Sequence, residues 1–112
     1  MDLLEIAKLT DSKIVTGENL DLPEFGFSSD LMSDVLRVDE EDMVLITGLS
    51  NLQVIRTADV MDIPVVIIVR GKFISDEMIQ LAKDKGVAIL STKYSMFKIS
   101  GILYKNGIKE VY

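Results

Sequence analysis

Three short apolar runs dominate the second half of the chain. They are Met43–Thr47, Pro64–Val69 and Val87–Leu90, and each is almost continuously hydrophobic. Continuous runs of aliphatic residues, without strict alternation, are typical of strands that are covered on both faces, as in a parallel sheet. Pro64 fits the first position of its strand, because a missing N–H costs least there.

Segments of helical period follow each of these runs. Asn51–Asp62, Asp76–Lys85 and Tyr94–Tyr104 place apolar side chains three or four positions apart. Ser75 is positioned to cap the second helix, and Gly86 favours a left-handed end to it. The alternation over residues 43–107 predicts parallel strands joined by right-handed crossovers. We therefore expect α/β architecture, with residues 1–112 forming a single three-layer domain of a mainly parallel sheet and helices on both faces.

The first 42 residues have a less regular pattern. It predicts a short helix over Asp2–Leu9, a strand over Lys13–Thr16 and an edge strand at Phe25–Phe27. One or two helical turns are expected over Asp30–Leu36, with Ser29 as the N-cap.

The composition excludes several classes of function. Among 112 residues there are 12 basic and 18 acidic side chains, and there is neither Cys nor His. Zinc, haem and iron–sulfur sites are therefore excluded, as are Cys–His and Ser–His–Asp catalysts, and no cofactor is expected. The acidic balance argues against a nucleic-acid partner. The longest apolar run, Ile63–Val69, is too short to cross a membrane. The N-terminus lacks a secretion signal, so a cytoplasmic location is expected.

The charge is unevenly distributed along the chain. Residues 1–62 carry 14 acidic and 4 basic side chains, whereas residues 63–112 carry 4 acidic and 8 basic ones. A solvated surface with chance asymmetry is the simpler interpretation. The alternative is that the second half presents a positive surface to an anion or an acidic partner.

Candidate ligand-binding residues follow the three predicted strands. In parallel α/β sheets, ligands bind outside the carboxyl ends of the strands, where helix N-termini converge. The turns at these ends contain glycines, small polar side chains and cations, namely Gly48, Ser50, Asn51, Arg70, Gly71, Lys72, Ser91 and Thr92. Arg70 is the strongest candidate because it directly follows a rigid apolar strand. Ordinary turns and caps use the same residue types, so a purely structural role stays open for each loop.

Two carboxylate pairs also fall at helical spacing. Asp59 with Asp62, and Asp30 with Asp34, could assist acid–base chemistry or hold Mg²⁺. Neither a nucleophile nor a His accompanies them, which favours solvated helix faces. We therefore expect no enzymatic activity and no metal site.

The last predicted helix is apolar on more than one side. Its hydrophobic residues include Phe97, Ile99, Ile102, Leu103 and Tyr104. One face is expected to pack on the sheet and another to form a homodimer interface, with Ser100 and Gly101 permitting close approach. The alternative is that the N-terminal helix covers the second face.

Three blocks of this sequence resemble the DRTGG domain family. They are Gly26–Leu36 continued by Glu41–Gly48, then Ile63–Lys72, then Ile79–Thr92, and the similarity covers roughly residues 5–107. It is most specific at the strand ends Ile46-Thr47-Gly48 and Val69-Arg70-Gly71-Lys72 and in the unit that runs from Leu81-Ala82-Lys83 through Lys85-Gly86 to Leu90-Ser91-Thr92. The string Asp-Arg-Thr-Gly-Gly itself is absent.

This resemblance implies a fold like the N-terminal domain of HPr kinase/phosphorylase and, more remotely, that of Mur ligases. Ser28-Ser29-Asp30 is similar to a Ser-Thr-Asp-Ser-Arg stretch of the Mur ligases, without its Arg, and Ser29 and Asp30 are further candidate ligand contacts. Such domains are not the catalytic part of those enzymes, and other members accompany CBS domains, which bind adenine nucleotides.

The resemblance therefore implies a non-catalytic regulatory module. It would sense a small anionic ligand, such as a nucleotide or phosphometabolite, act as a homodimer and regulate a partner enzyme encoded nearby. The alternative is a protein–protein interaction subunit without a small-molecule ligand, which docks its partner through the acidic first half of the chain.

Overall fold

The structure is a computed structural model that describes all 112 residues. Strands and helices alternate along most of the chain, and every helix and strand expected from the sequence is present. In chain order the elements are α1 (Leu3–Leu9), β1 (Ser12–Thr16), β2 (Phe25–Ser28), α2 (Met32–Val35), β3 (Met43–Thr47), α3 (Leu52–Val60), β4 (Val65–Ile68), α4 (Asp76–Lys85), β5 (Ala88–Thr92), α5 (Met96–Lys105) and β6 (Lys109–Glu110).

The strands form one six-stranded sheet in the order β1-β5-β4-β3-β2-β6. All neighbouring pairs are parallel except β1 with β5, which is antiparallel. A strand is present at Phe25–Ser28, but the prediction that it lies at the edge of the sheet is wrong. The two-residue strand β6 pairs with β2 through Phe25↔Lys109 and Gly26↔Glu110, so β2 lies inside the sheet.

Helices cover both faces of the sheet, which confirms the predicted three layers. In β3, Met43 and Leu45 join one buried cluster, and Val44 and Ile46 join the other. The first cluster lies under α2, α3 and α4, and the second lies under α1 and α5. The side chains of β3 therefore alternate between the two faces of the sheet. The sequence does not show this alternation because the residues on both faces are hydrophobic. None of these helices has both the length and the apolar character to cross a bilayer.

Helix ends mostly follow the local signals in the sequence. Ser75 caps α4 by accepting a hydrogen bond from the Met78 amide, and Gly86 ends this helix at φ +69°. The exception is α2, because its N-cap is Leu31 and no side chain caps it. The prediction that Ser29 is the N-cap is wrong, since its hydroxyl accepts a hydrogen bond from the Leu31 amide two residues later, in a local turn.

The antiparallel strand β1 determines which loop joins the carboxyl edge, meaning the edge of the sheet where β2 to β5 end. Since β1 runs in the opposite direction, the turn that precedes it, containing Asp11, lies at this edge. The buried Thr16 hydroxyl donates a hydrogen bond to the Val87 carbonyl and accepts one from the Ile89 amide, which fixes β1 against β5.

Candidate ligand-binding edge of the sheet

Main-chain hydrogen bonds bring the predicted loops together at the carboxyl edge. The Arg70 amide donates to the Tyr94 carbonyl, and the Gly71 amide donates to the Thr92 carbonyl, both at 2.9 Å. The loops after β4 and β5 therefore continue to contact each other beyond the regular strands. Gly48, Arg70 and Thr92 all lie at this one edge.

A carboxylate joins three of these loops. Asp30, after β2, accepts a hydrogen bond from Arg70 Nη2, after β4, at 2.8 Å through Oδ2. Its Oδ1 accepts hydrogen bonds from the Gly48 amide at 2.6 Å and from the Thr47 hydroxyl at 3.3 Å. We call this arrangement of Asp30, Thr47, Gly48 and Arg70 the Arg70 clip. It fixes the direction of the guanidinium across the ends of β2, β3 and β4.

The backbone of the clip explains why particular residues occupy it. The guanidinium lies where a side chain at position 48 would stand, so glycine is required for this approach. Arg70 itself has φ +69°, an unusual conformation for a residue with a side chain. Its main-chain bond to Tyr94 and its side-chain bond to Asp30 hold it in that conformation.

The clip changes the electrostatics of both partners. The hydrogen bond from Arg70 and then the one from the Gly48 amide lower the pKa of the Asp30 carboxyl below its ordinary range. Asp30 is therefore ionised at neutral pH and offsets part of the charge of Arg70. Both side chains are 43% exposed. Within the protein, only Nη2 of the Arg70 guanidinium donates a hydrogen bond, so a partly exposed side chain keeps further N–H donors without a protein partner.

On the other side of β4, an open polar depression of about 500 Å³ lies over the ends of β4 and β5 and the start of β1. Every lining residue is polar or glycine: Asp11, Ser12, Lys13, Gly71, Lys72, Ser91 and Lys93. The three lysines are exposed, and none forms an ion pair. The depression therefore concentrates positive charge beside the clip.

Four predicted ligand contacts have their polar groups engaged within the protein. Thr92 is 2% exposed, and its hydroxyl donates to the Thr10 carbonyl and accepts from the Tyr94 amide. The Asn51 side chain caps α3, and the Ser50 hydroxyl donates to the Phe73 carbonyl. Ser29 is engaged in the turn that precedes α2.

The predicted carboxylate pairs do not form an acidic centre. Asp30 binds Arg70, and Asp59 lies 3.6 Å from the Lys85 ammonium. No group of three or more acidic side chains converges in a way that could hold a metal ion.

The predicted dimer residues on α5 divide into two groups. Ile99 and Leu103 are buried in the cluster under the sheet, so their assignment to a homodimer interface is wrong. Ile102 is half-buried, whereas Phe97 is 90% exposed and Tyr104 is 65% exposed. Helix α1 packs on the same buried cluster and leaves these two aromatic side chains uncovered.

A larger depression of about 650 Å³ lies at the opposite edge of the sheet. Its lining includes Gly17, Glu18, Lys83 and Gly86, together with apolar side chains of α4 and β5. Its lining contains one acidic and one basic side chain, so it lacks the excess of positive charge found in the depression at the carboxyl edge.

Comparisons with known proteins agree with this fold. The family model of the DRTGG domain matches residues 5–105. No curated protein matches the chain. Among solved structures, the chain is similar to the CBS and DRTGG domains of the regulatory region of Clostridium perfringens pyrophosphatase, in complex with its activator diadenosine tetraphosphate.

That similarity has a TM-score of 0.78 at 17% sequence identity, and it covers 90% of this chain. The chain spans only 45% of the length of the clostridial chain. At 17% identity this similarity shows only that the two folds are alike. The family is shown by the match to the DRTGG family model. Since that model extends over nearly the whole domain, the chain belongs to the DRTGG domain family.

Proposed function

We propose that this DRTGG domain is a non-catalytic regulatory module that binds a small anionic ligand, a nucleotide or a phosphometabolite, at the carboxyl edge. One observation carries the proposal. Lys13, Lys72 and Lys93 line a polar depression and form no ion pairs, and Gly71 of the same lining directly follows Arg70. Lysine and arginine side chains at such a place attract phosphate or carboxylate groups.

The charge distribution supports this position. The protein carries a formal charge of −6, so its net charge repels anions. The acidic run Asp39–Asp42 precedes β3 and therefore lies at the edge opposite the depression. An approaching anion is directed away from that edge and towards the lysines.

The structural neighbour supports the kind of module and the kind of ligand. The clostridial DRTGG domain belongs to a regulatory region, and that region is in complex with a nucleotide activator. In our proposal, this chain likewise binds its ligand without transforming it and passes the signal to a partner enzyme encoded nearby. The absence of Cys and His is consistent with a role in binding.

The proposal includes a homodimer formed through the outer face of α5. Phe97, Gly101 and Tyr104 are exposed and follow one another at four- and three-residue spacing, which places them on one stripe. Two large aromatic groups beside a glycine allow a close, apolar contact with the same stripe of a second copy.

Thermal unfolding in the presence of nucleotides, sugar phosphates and carboxylates tests ligand binding. A ligand at about 100 times its Kd is expected to add about 2.7 kcal/mol to the free energy of unfolding. Arg70→Ala and Lys72→Ala should each reduce the shift. Lys83→Ala is the matched control, because this exposed lysine lies in the last turn of α4, at the opposite edge.

An unchanged melting temperature across the whole panel would contradict the ligand-binding proposal. The protein–protein interaction subunit would then be the better description. A shift that Lys83→Ala removes and Lys72→Ala leaves intact would contradict the assignment to the carboxyl edge.

A further inference from the structure

The polar depression lacks the surface that a nucleoside needs. Base recognition generally depends on stacking and apolar contact around a few polar groups. None of the side chains lining this depression is hydrophobic. What it offers a ligand is charge and hydrogen-bond donors, so the group that it recognises is anionic and strongly hydrated.

Its three ammonium groups come from three different segments. Lys13 belongs to β1, Lys72 follows β4 and Lys93 follows β5. Ser91 adds a half-buried hydroxyl group to the lining, whereas the Ser12 hydroxyl is hydrogen-bonded to that of Thr10. Donors that come from three separate segments suit several anionic oxygens spread along a ligand better than one compact anion.

We infer that this depression recognises a chain of linked phosphates and that it does so without contacting a base. The inference rests on the proposed function and names the ligand class for it. Inorganic polyphosphate and the polyphosphate tail of a nucleotide share this chemistry. The volume of about 500 Å³ falls within the range of roughly 300–1,000 Å³ of small-molecule sites.

Removing the charge of Asp11 should strengthen ligand binding, whereas removing a lysine should weaken it. Asp11 is the sole carboxylate in the lining, so it repels a phosphate chain and weakens the attraction of the lysines. Its backbone is left-handed, with φ +49°, and asparagine tolerates that conformation well. Asp11→Asn therefore removes the negative charge with little disturbance of the turn.

Isothermal titration calorimetry in a magnesium-free buffer distinguishes the ligand sources. Tripolyphosphate and adenosine triphosphate should bind with similar affinity, orthophosphate much more weakly and adenosine not at all. Lys72→Ala and Lys93→Ala should each weaken tripolyphosphate binding about five- to tenfold. Asp11→Asn should strengthen it about two- to fivefold, and Lys83→Ala should leave it unchanged.

Several results would overturn the inference. If adenosine triphosphate binds and tripolyphosphate does not, the base is recognised, and the proposed function stands without the inference. Equal affinity for orthophosphate and tripolyphosphate would show that the depression does not require linked phosphates. If sugar phosphates or carboxylates bind at the carboxyl edge but no polyphosphate does, only the ligand class is wrong. If no anion of any kind binds, the proposed function fails as well.

Discussion

The Arg70 guanidinium occupies the space that a side chain at position 48 would need, because a Cβ built on Gly48 would overlap Arg70 Nη2. Glycine at position 48 and arginine at position 70 therefore depend on each other, although 22 positions separate them in the sequence. Asp30 completes the arrangement by accepting hydrogen bonds from both.

Gly48→Ala is expected to displace the guanidinium and break its bond to Asp30. The side chain can move away, so the cost is the lost interaction, about 1 kcal/mol of unfolding free energy for a partly exposed pair. A double-mutant cycle with Arg70→Ala, followed by urea denaturation, measures the dependence. The two effects should be clearly less than additive. Full additivity would show that Gly48 acts independently of Arg70.

The Asp30 carboxylate should make stability depend on acid pH. Its native-state pKa is lowered below 3.8 by the hydrogen bonds from Arg70 and Gly48. The stabilisation is therefore complete above the pKa of the unfolded state and is lost as the pH falls through the lower native-state value. Asp30→Asn should cost about 1 kcal/mol at neutral pH, after allowance for solvent screening.

Urea denaturation from about pH 7 to about pH 3 tests this, and the difference in unfolding free energy between wild type and Asp30→Asn should narrow towards the acid end. Asp34→Asn, at an exposed carboxylate without an ion pair, should give a small difference throughout. A difference for Asp30→Asn that stays constant with pH would contradict the ion pair.

Two neighbouring hydroxyl groups on β5 should behave differently. The Thr92 hydroxyl is buried and bonded to Thr10 and Tyr94, so Thr92→Val should cost about 1–3 kcal/mol of unfolding free energy. Ser91 is half-buried and lines the depression. Ser91→Ala should change stability little and weaken ligand binding. Denaturation and ligand titration of both variants separate the two roles, and the reverse pattern would contradict the assignment.

The dimer proposal predicts a mass of twice 12.5 kDa in solution. Phe97→Asp should give a monomer by placing a charge in the contact, while the carboxylate suits the first turn of α5. Phe73→Asp is the control, because Phe73 is also a highly exposed phenylalanine but lies off α5. Sedimentation equilibrium at micromolar concentration measures all three proteins. A monomeric wild type would contradict the dimer.

Much of the fold could be predicted because its signals are local. The runs that become β3, β4 and β5 are continuously apolar, and Ser75 and Gly86 mark the ends of α4. Strand β6 has only two residues, both exposed, so it leaves no hydrophobic signature. Strand β2 lies inside the sheet because it pairs with β6, and the sequence of β2 alone does not reveal that pairing.

The candidate site was harder to predict because its contacts are distant in sequence. Arg70 and Asp30 are 40 positions apart, and nothing near either residue indicates the pair. Lys13 joins the depression because β1 runs antiparallel, a direction that the periodicity of the strand does not give. Thr92 and Ser91 look equivalent as small hydroxyl residues, and the pleat of β5 alone makes one buried and the other accessible.

Chemical-shift mapping by ¹H–¹⁵N NMR tests the central claim most directly. When tripolyphosphate or a nucleotide is added to the unmodified chain, the amides of Asp11, Lys13, Lys72 and Lys93 should shift most, together with those of the Arg70 clip. Shifts concentrated instead around Gly17, Lys83 and Gly86, in the larger depression at the opposite edge, would contradict the account.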